Sequence, residues 1–190
     1  FNAINTIYKF LTHEDLENST IAISGIGKVG SKLSKLLFEK KAKLIISNIR
    51  KDAIDQLRED KILFTESDID SIFEKQCDII SPCALGSVIN LETRKKLKCK
   101  AIVGAANNQL DKPETAVWLK ENNIFYAPDY LVNSGGVIAI SCEINNSEDT
   151  LDDELNKISV KVLSLLQESQ KSSLSTEKIT EELAWKRILS

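Results

Sequence analysis

Thr20-Ile21-Ala22-Ile23-Ser24-Gly25-Ile26-Gly27-Lys28-Val29-Gly30 decides the fold. Its first half is a short apolar run, the pattern of a strand buried on both faces of a parallel sheet. The period then changes. Leu33, Leu36 and Leu37 recur at helical spacing, while Lys32, Lys35, Glu39 and Lys40 take the opposite face. Glycines mark the switch in G-x-G-x-x-G order, and their place between strand and helix is what makes the spacing informative. Gly25 permits the tight turn, Gly27 lets backbone approach a pyrophosphate, and Gly30 lets the helix lie close to the strand. Unpaired N–H groups and the positive dipole end at the helix start attract an anion. The same glycines also suit a strand–helix turn that needs them for geometry alone.

Composition sets the frame for this stretch. A chain of 190 residues, 42% hydrophobic and 28% charged, suits one large globular domain with extra helices. A net charge of -3 gives no footprint of nucleic-acid binding. No apolar run reaches membrane-spanning length, and no signal peptide opens the chain. The chain starts at Phe1 and holds no methionine, which reads as a fragment or a processed form. Cys77, Cys83, Cys99 and Cys142 make no C-x-x-C pair, and His13 is the single histidine, so metal-ligand spacing is missing and no metal is expected. The four cysteines read as reduced thiols of a cytoplasmic protein. His13, among Thr12, Glu14 and Asp15, reads as a solvated loop or cap residue.

Outward from the glycine turn, strands and helices alternate. Phe1, Ile4, Ile7, Tyr8 and Leu11 form an apolar stripe on a leading helix. Strands are expected at Leu44-Ile45-Ile46, Ile62-Leu63-Phe64, Cys77 to Ser81, Ala101 to Gly104, and Ile124 to Ala127. Helices are expected at residues 51–60, 68–75, 91–97 and 113–122 between them. Strand–helix alternation implies right-handed βαβ units and an α/β, doubly wound parallel sheet, with its ligand beyond the strand C-terminal ends. After Asn133-Ser134-Gly135-Gly136 come helical stripes only, at Val137 to Ile144, Asp149 to Glu168 and Glu177 to Leu189.

Three further stretches carry a resemblance. They are Asp78-Ile79-Ile80-Ser81-Pro82-Cys83-Ala84-Leu85-Gly86, Gly104-Ala105-Ala106-Asn107-Asn108-Gln109-Leu110, and Ala127-Pro128-Asp129-Tyr130-Leu131-Val132-Asn133-Ser134-Gly135-Gly136. With the glycine turn, and in this order, they resemble the nucleotide-binding half of the Glu/Leu/Phe/Val amino-acid dehydrogenases. P-C-A-L-G and A-N-N-Q are nearest the leucine and phenylalanine dehydrogenase branch. The resemblance runs from Phe1 to Gly136 and, weakly, to Ala184-Trp185-Lys186-Arg187-Ile188.

The resemblance implies a Rossmann-type sheet with flanking N- and C-terminal helices. Residues 1–148 become the dinucleotide-binding domain with its leading helix, and residues 149–190 a helical extension packed on it. It implies oxidative deamination of an L-amino acid, of leucine/branched-chain or phenylalanine type, to a 2-oxo acid and ammonia. It also implies an NAD cofactor, a homo-oligomer in the full-length protein, and no nucleic-acid or membrane partner. Carried over residue by residue, Gly25, Gly27 and Gly30 hold the pyrophosphate, with Lys28 and Val29 between them. Cys83 and Ala84 line the adenosine side, Asn107 bonds near the nicotinamide ribose, and Asn133 faces nicotinamide and substrate. On the residues alone, Pro82-Cys83-Ala84 also reads as a strand-terminating turn. Asn107-Asn108 equally reads as a turn with positive φ, and Asn133 as a helix cap.

Two departures matter. The family's acid–base lysines and aspartate belong to a separate N-terminal substrate domain, which this chain does not contain. The only Gly-Gly pair here, Gly135-Gly136, matches the nucleotide-side motif. Catalytic residues are therefore unassigned, and a stand-alone regulatory or inactive dinucleotide-binding module is the alternative reading. The second departure concerns the cofactor. NAD-specific relatives end the second strand with an acidic residue that holds the ribose hydroxyls. Here Asn48 stands 18 residues after Gly30, followed by Arg50 and Lys51. An amide cannot repel a 2′-phosphate, and a guanidinium suits one, so NADP is admissible beside NAD.

Overall fold

A computed structural model describes residues 1–189, without the side chain of Arg187. Its strands are β1 (Thr20–Ser24), β2 (Lys43–Ser47), β3 (Thr65–Glu66), β4 (Ile79–Pro82), β5 (Ala101–Ile102) and β6 (Phe125–Tyr126). They form one all-parallel sheet in the order β3-β2-β1-β4-β5-β6. The α-helices are α1 (Asn2–Thr12), α2 (Lys28–Glu39), α3 (Lys51–Glu59), α4 (Pro113–Glu121), α5 (Asp129–Val132), α6 (Gly135–Ile144), α7 (Leu151–Lys171) and α8 (Thr176–Ile188). The expected doubly wound α/β sheet is the one observed.

β1 is central, with Ile21 registered against Leu44 on one side and Ile79 on the other. Alternate β1 side chains supply the two core layers. Ile21 and Ile23 pack in one layer with Leu33 and Leu37 of α2, Ile4 and Ile7 of α1, and Val162 and Leu166 of α7. Ala22 joins the other with Ile80, Ile102, Leu119 and Tyr126. Both faces are covered, which is why β1 reads as an unbroken apolar run rather than an alternating one. The strand order reverses between β1 and β4, and the crevice above that reversal is where this architecture places a ligand.

Three local expectations are corrected. The third strand is not Ile62-Leu63-Phe64 but Thr65–Glu66. Lys61 adopts φ 59, and the Ile62 N–H turns back to the Leu57 carbonyl at 3.0 Å. That apolar triplet is the exit of α3, and Leu63 is 75% exposed. The helix over 68–75 shrinks to one 3-10 turn, Ile72–Glu74. The hydroxyls of Ser67 and Ser71 both donate to the Asp68 carbonyl, giving the backbone an alternative to helix. The helix over 91–97 is likewise one 3-10 turn, Arg94–Lys96. There the Asn90 side chain accepts from the Glu92 and Thr93 N–H groups and sets a turn first. His13 fulfils the cap reading: it ends α1 at φ 62, its N–H donating to the Lys9 carbonyl at 2.9 Å.

Candidate dinucleotide site

The glycine turn joins β1 to α2. Gly25 sits at φ +102, and its N–H donates to the Ser47 carbonyl at 2.8 Å. That backbone is open to glycine and strained for other residues. A Cβ built on Gly25 would lie 2.5 Å from the Ala84 Cβ. One built on Gly30 would lie 2.1 Å from the Gly25 carbonyl oxygen and 3.3 Å from the Cys83 Cβ. Ala84 and Cys83 thus press against the turn they are expected to serve. Gly27 is the opposite case: a Cβ there meets nothing within 4 Å. Gly27 is also the N-cap of α2, and among the described residues no side chain caps that helix. Its first N–H groups have no intrahelical acceptor. Open space and free donors therefore coincide at Gly27, the arrangement an incoming pyrophosphate needs.

Asn48 and Arg50 stand beside the turn but are already engaged. Asn48 Oδ1 accepts from the Ile26 N–H at 2.9 Å, and its Nδ2 donates to the Arg50 carbonyl at 2.9 Å. The amide ties the end of β2 to the glycine turn and keeps one donor and one lone pair. Arg50 Nε donates to Asp52 at 3.1 Å, and Nη2 bonds the other carboxylate oxygen. This ion pair raises the arginine's pKa and holds the Asp52 carboxyl below its usual range. Burial pushes the Cys83 thiol up, so it is chemically a small protonated wall.

A cleft of about 400 Å³ opens where β4 and β5 end. Lys28, Val29, Ser81, Gly104, Asn133 and Gly135 border it. Lys28 and Lys32 both face this cleft, whereas Lys35, on the same helix, pairs with Asp60 at 2.7 Å. A larger hollow, about 760 Å³, lies between α4 and α8 beside Val117 and Tyr130. It borders neither a strand end nor the glycine turn, so the smaller cleft is the candidate. Asn133, following α5, donates from Nδ2 to Asn107 Oδ1 at 2.5 Å. The two asparagines singled out on separate stretches are therefore partners. The positive φ of that turn belongs to Asn108, at 51, and not to Asn107. Asn133 does not cap the following helix, whose N-cap is Ser134; it closes α5 as its C-cap.

Two residues of this site escape a reading by motif. Buried Asp129 accepts the Asn108 N–H on Oδ2 and the Tyr130 N–H on Oδ1, the latter at 2.8 Å. Fully buried Gln109 donates from Nε2 to the Ala106 carbonyl at 2.9 Å. The available signal was a carboxylate just past β6 and an amide in the loop that follows β5, where polar side chains are buried only if bonded.

The glycine cradle, open at Gly27 and uncapped at the start of α2, has the shape and donors that fit a dinucleotide. Residues 46–188 match the family model described as Glutamate/Leucine/Phenylalanine/Valine dehydrogenase. The chain is 38% identical to leucine dehydrogenase of Bacillus subtilis over 177 residues, 92% of this chain and 48% of that one. It is 35% identical to phenylalanine dehydrogenase of Thermoactinomyces intermedius over 193 residues, 99% of this chain and 52% of that one. The crystal structure of L-tryptophan dehydrogenase from Nostoc punctiforme superposes with a TM-score of 0.93 at 27% identity, covering 99% of this chain and 58% of that chain. The chain spans about half the length of the curated relatives it matches. It belongs to the glutamate/leucine/phenylalanine/valine dehydrogenase family.

Proposed function

We propose that this chain is the cofactor-binding part of an NAD(P)-dependent L-amino-acid dehydrogenase. The reaction is oxidative deamination of a leucine/branched-chain or phenylalanine-type amino acid to a 2-oxo acid and ammonia. One observation carries the reading: Gly27 opens on empty space at an uncapped helix start, beside the cleft bordered by Asn133. In this reading Gly25 to Gly30 hold the pyrophosphate on backbone N–H groups. Cys83 and Ala84 wall the adenosine side, and Asn107 bonds near the nicotinamide ribose. Asn133, fixed by Asn107, faces the nicotinamide and the substrate. The bound nicotinamide supplies a hydride acceptor for the substrate α-carbon. Residues 1–148 act as the dinucleotide-binding domain and 149–190 as its helical extension. The whole protein is a homo-oligomer, and four free cysteines favour a cytoplasmic setting.

The purified 190-residue chain is expected to bind NADH and to turn over neither leucine nor phenylalanine. The acid–base groups implied by the family lie outside it, and such groups contribute ~10²–10⁴-fold, with substrate positioning adding more. Calorimetric titration and an absorbance assay for NADH formation check both halves. Robust deamination by this chain would overturn its role as the cofactor half alone, and a folded chain that ignores NADH would overturn the site.

NAD is the first cofactor, with weak rejection of NADP. Asn48 carries no charge to repel a 2′-phosphate, while Arg50 spends one edge of its guanidinium on Asp52 and meets a phosphate only with its remaining donors. Asn48→Asp keeps an acceptor for the Ile26 N–H and adds a negative charge where the ribose sits. It is expected to weaken NADPH roughly ten- to a hundredfold and to leave NADH near wild type. Parallel titrations of both nucleotides decide it. A wild type that already excludes NADPH, with no change in the variant, sinks the reading.

A further inference from the structure

We propose that Asp129 is a positioning residue that sets the Asn107–Asn133 contact, and through it the nicotinamide half of the dinucleotide site. The proposal rests on the functional reading above, which places those two asparagines against the nicotinamide. Asp129 opens α5, directly after Pro128. It is buried, and a buried carboxylate is costly unless hydrogen-bonded. Within the first turn of α5 one oxygen is used locally: Oδ1 accepts the Tyr130 N–H at 2.8 Å. Oδ2 does something α5 has no use for. It crosses to the loop after β5 and accepts the Asn108 N–H, 21 residues away in sequence.

That bond lands on the residue in the left-handed backbone region, Asn108, immediately beside Asn107. Meanwhile the Asp129 carbonyl accepts the Asn133 N–H at 2.8 Å. One residue therefore grips both ends of the Asn107–Asn133 contact: the first through its side chain, the second through its backbone. The far side of the same loop is held by Gln109, whose Nε2 donates to the Ala106 carbonyl. The loop is fixed from two directions, and the amide pair it presents beside the cleft is preorganised rather than assembled on binding. The carboxylate acts through Asn108 and does not itself face the cleft.

The test separates the two halves of the ligand. Wild type and Asp129→Asn are titrated with NADH and with ADP, which has adenosine and pyrophosphate but neither the nicotinamide nor its ribose. Melting temperatures are recorded alongside. The variant replaces one acceptor oxygen with an NH₂ donor, so one of the two N–H groups loses its acceptor. NADH affinity is expected to fall roughly tenfold while ADP affinity holds within about twofold. A purely structural role would lower both together, so an equal loss overturns the proposal, as does no loss at all. Should Asp129→Asn not fold, Asp129→Ser keeps one small acceptor and is expected to give the same split. If neither variant folds, Asp129 belongs to the core and the proposal falls. A wild type that binds neither nucleotide overturns the underlying site, a result read on the wild type rather than on the variants.

Discussion

Gly27→Val is expected to abolish dinucleotide binding by this chain while costing little stability. The added Cβ meets no protein atom within 4 Å, so nothing in the fold resists it. The backbone at Gly27, φ -86 and ψ -163, is extended and suits valine. The cost that remains is a poorer N-cap, about 1 kcal/mol, which for a domain of this size lowers Tm by about 2–4 °C. Binding is a different matter. The valine methyls enter the open space in front of the first N–H groups of α2, and a pyrophosphate held further out loses them. Hydrogen bonds to a charged group are worth about 1.5–3 kcal/mol each. Losing two therefore weakens binding at least ~100-fold. Titration with NADH, set against a thermal melt, reads both quantities. Unchanged affinity in a folded variant would move the site away from this turn.

What was legible in the sequence follows from how each signal arises. β1, β2 and β4 lie at the centre of the sheet, covered on both faces, so burial leaves an unbroken apolar run in each. β3 is an edge strand of two exposed residues, Thr65 and Glu66, and carries no such run. The nearby apolar triplet at 62–64 misleads because one backbone reversal, at Lys61, decides where it points. Side-chain competition for backbone groups at Ser67, Ser71 and Asn90 cut two expected helices to single turns. Such bonds depend on neighbours that periodicity does not register.

The site divides in the same way. Gly25 and Gly30 were legible because the turn needs them at fixed spacing, whereas nothing in the fold itself demands Gly27. Asn107 and Asn133 were legible singly, but their contact depends on the left-handed backbone at Asn108 and on α5, which no stripe announced. Residue type gave Asn48 and Arg50 their chemistry. It did not show that Ile26 and the Arg50 carbonyl already use the amide, or that Asp52 already takes one edge of the guanidinium.

Gly30→Ala is expected to do the reverse of Gly27→Val: to strip stability first, with binding lost only through folding. Its single added carbon would lie 2.1 Å from the Gly25 carbonyl oxygen and 3.1 Å from the Gly25 carbonyl carbon. Both are backbone atoms, which have no rotamer to change. Nor is the turn free to back away. Gly25 is already confined at φ +102, its N–H is tied to the Ser47 carbonyl, and its other side faces Ala84. The start of α2 must therefore lift off β1, and buried Leu33 and Leu37 lie on the same helix. Overpacking a tight site costs typically about 1–3 kcal/mol, with backbone clashes at or above the upper end. At about 2–4 °C per kcal/mol, Tm falls by roughly 6–12 °C. A denaturant midpoint shifted without a change in slope would mark the loss as stability rather than a change of cooperative unit. The pair of variants then separates the two uses of glycine in one motif. Gly27 fronts open space, and Gly30 lets helix and strand touch. A Gly30→Ala protein that melts with wild type would mean that α2 does not lie against the Gly25 turn at this distance.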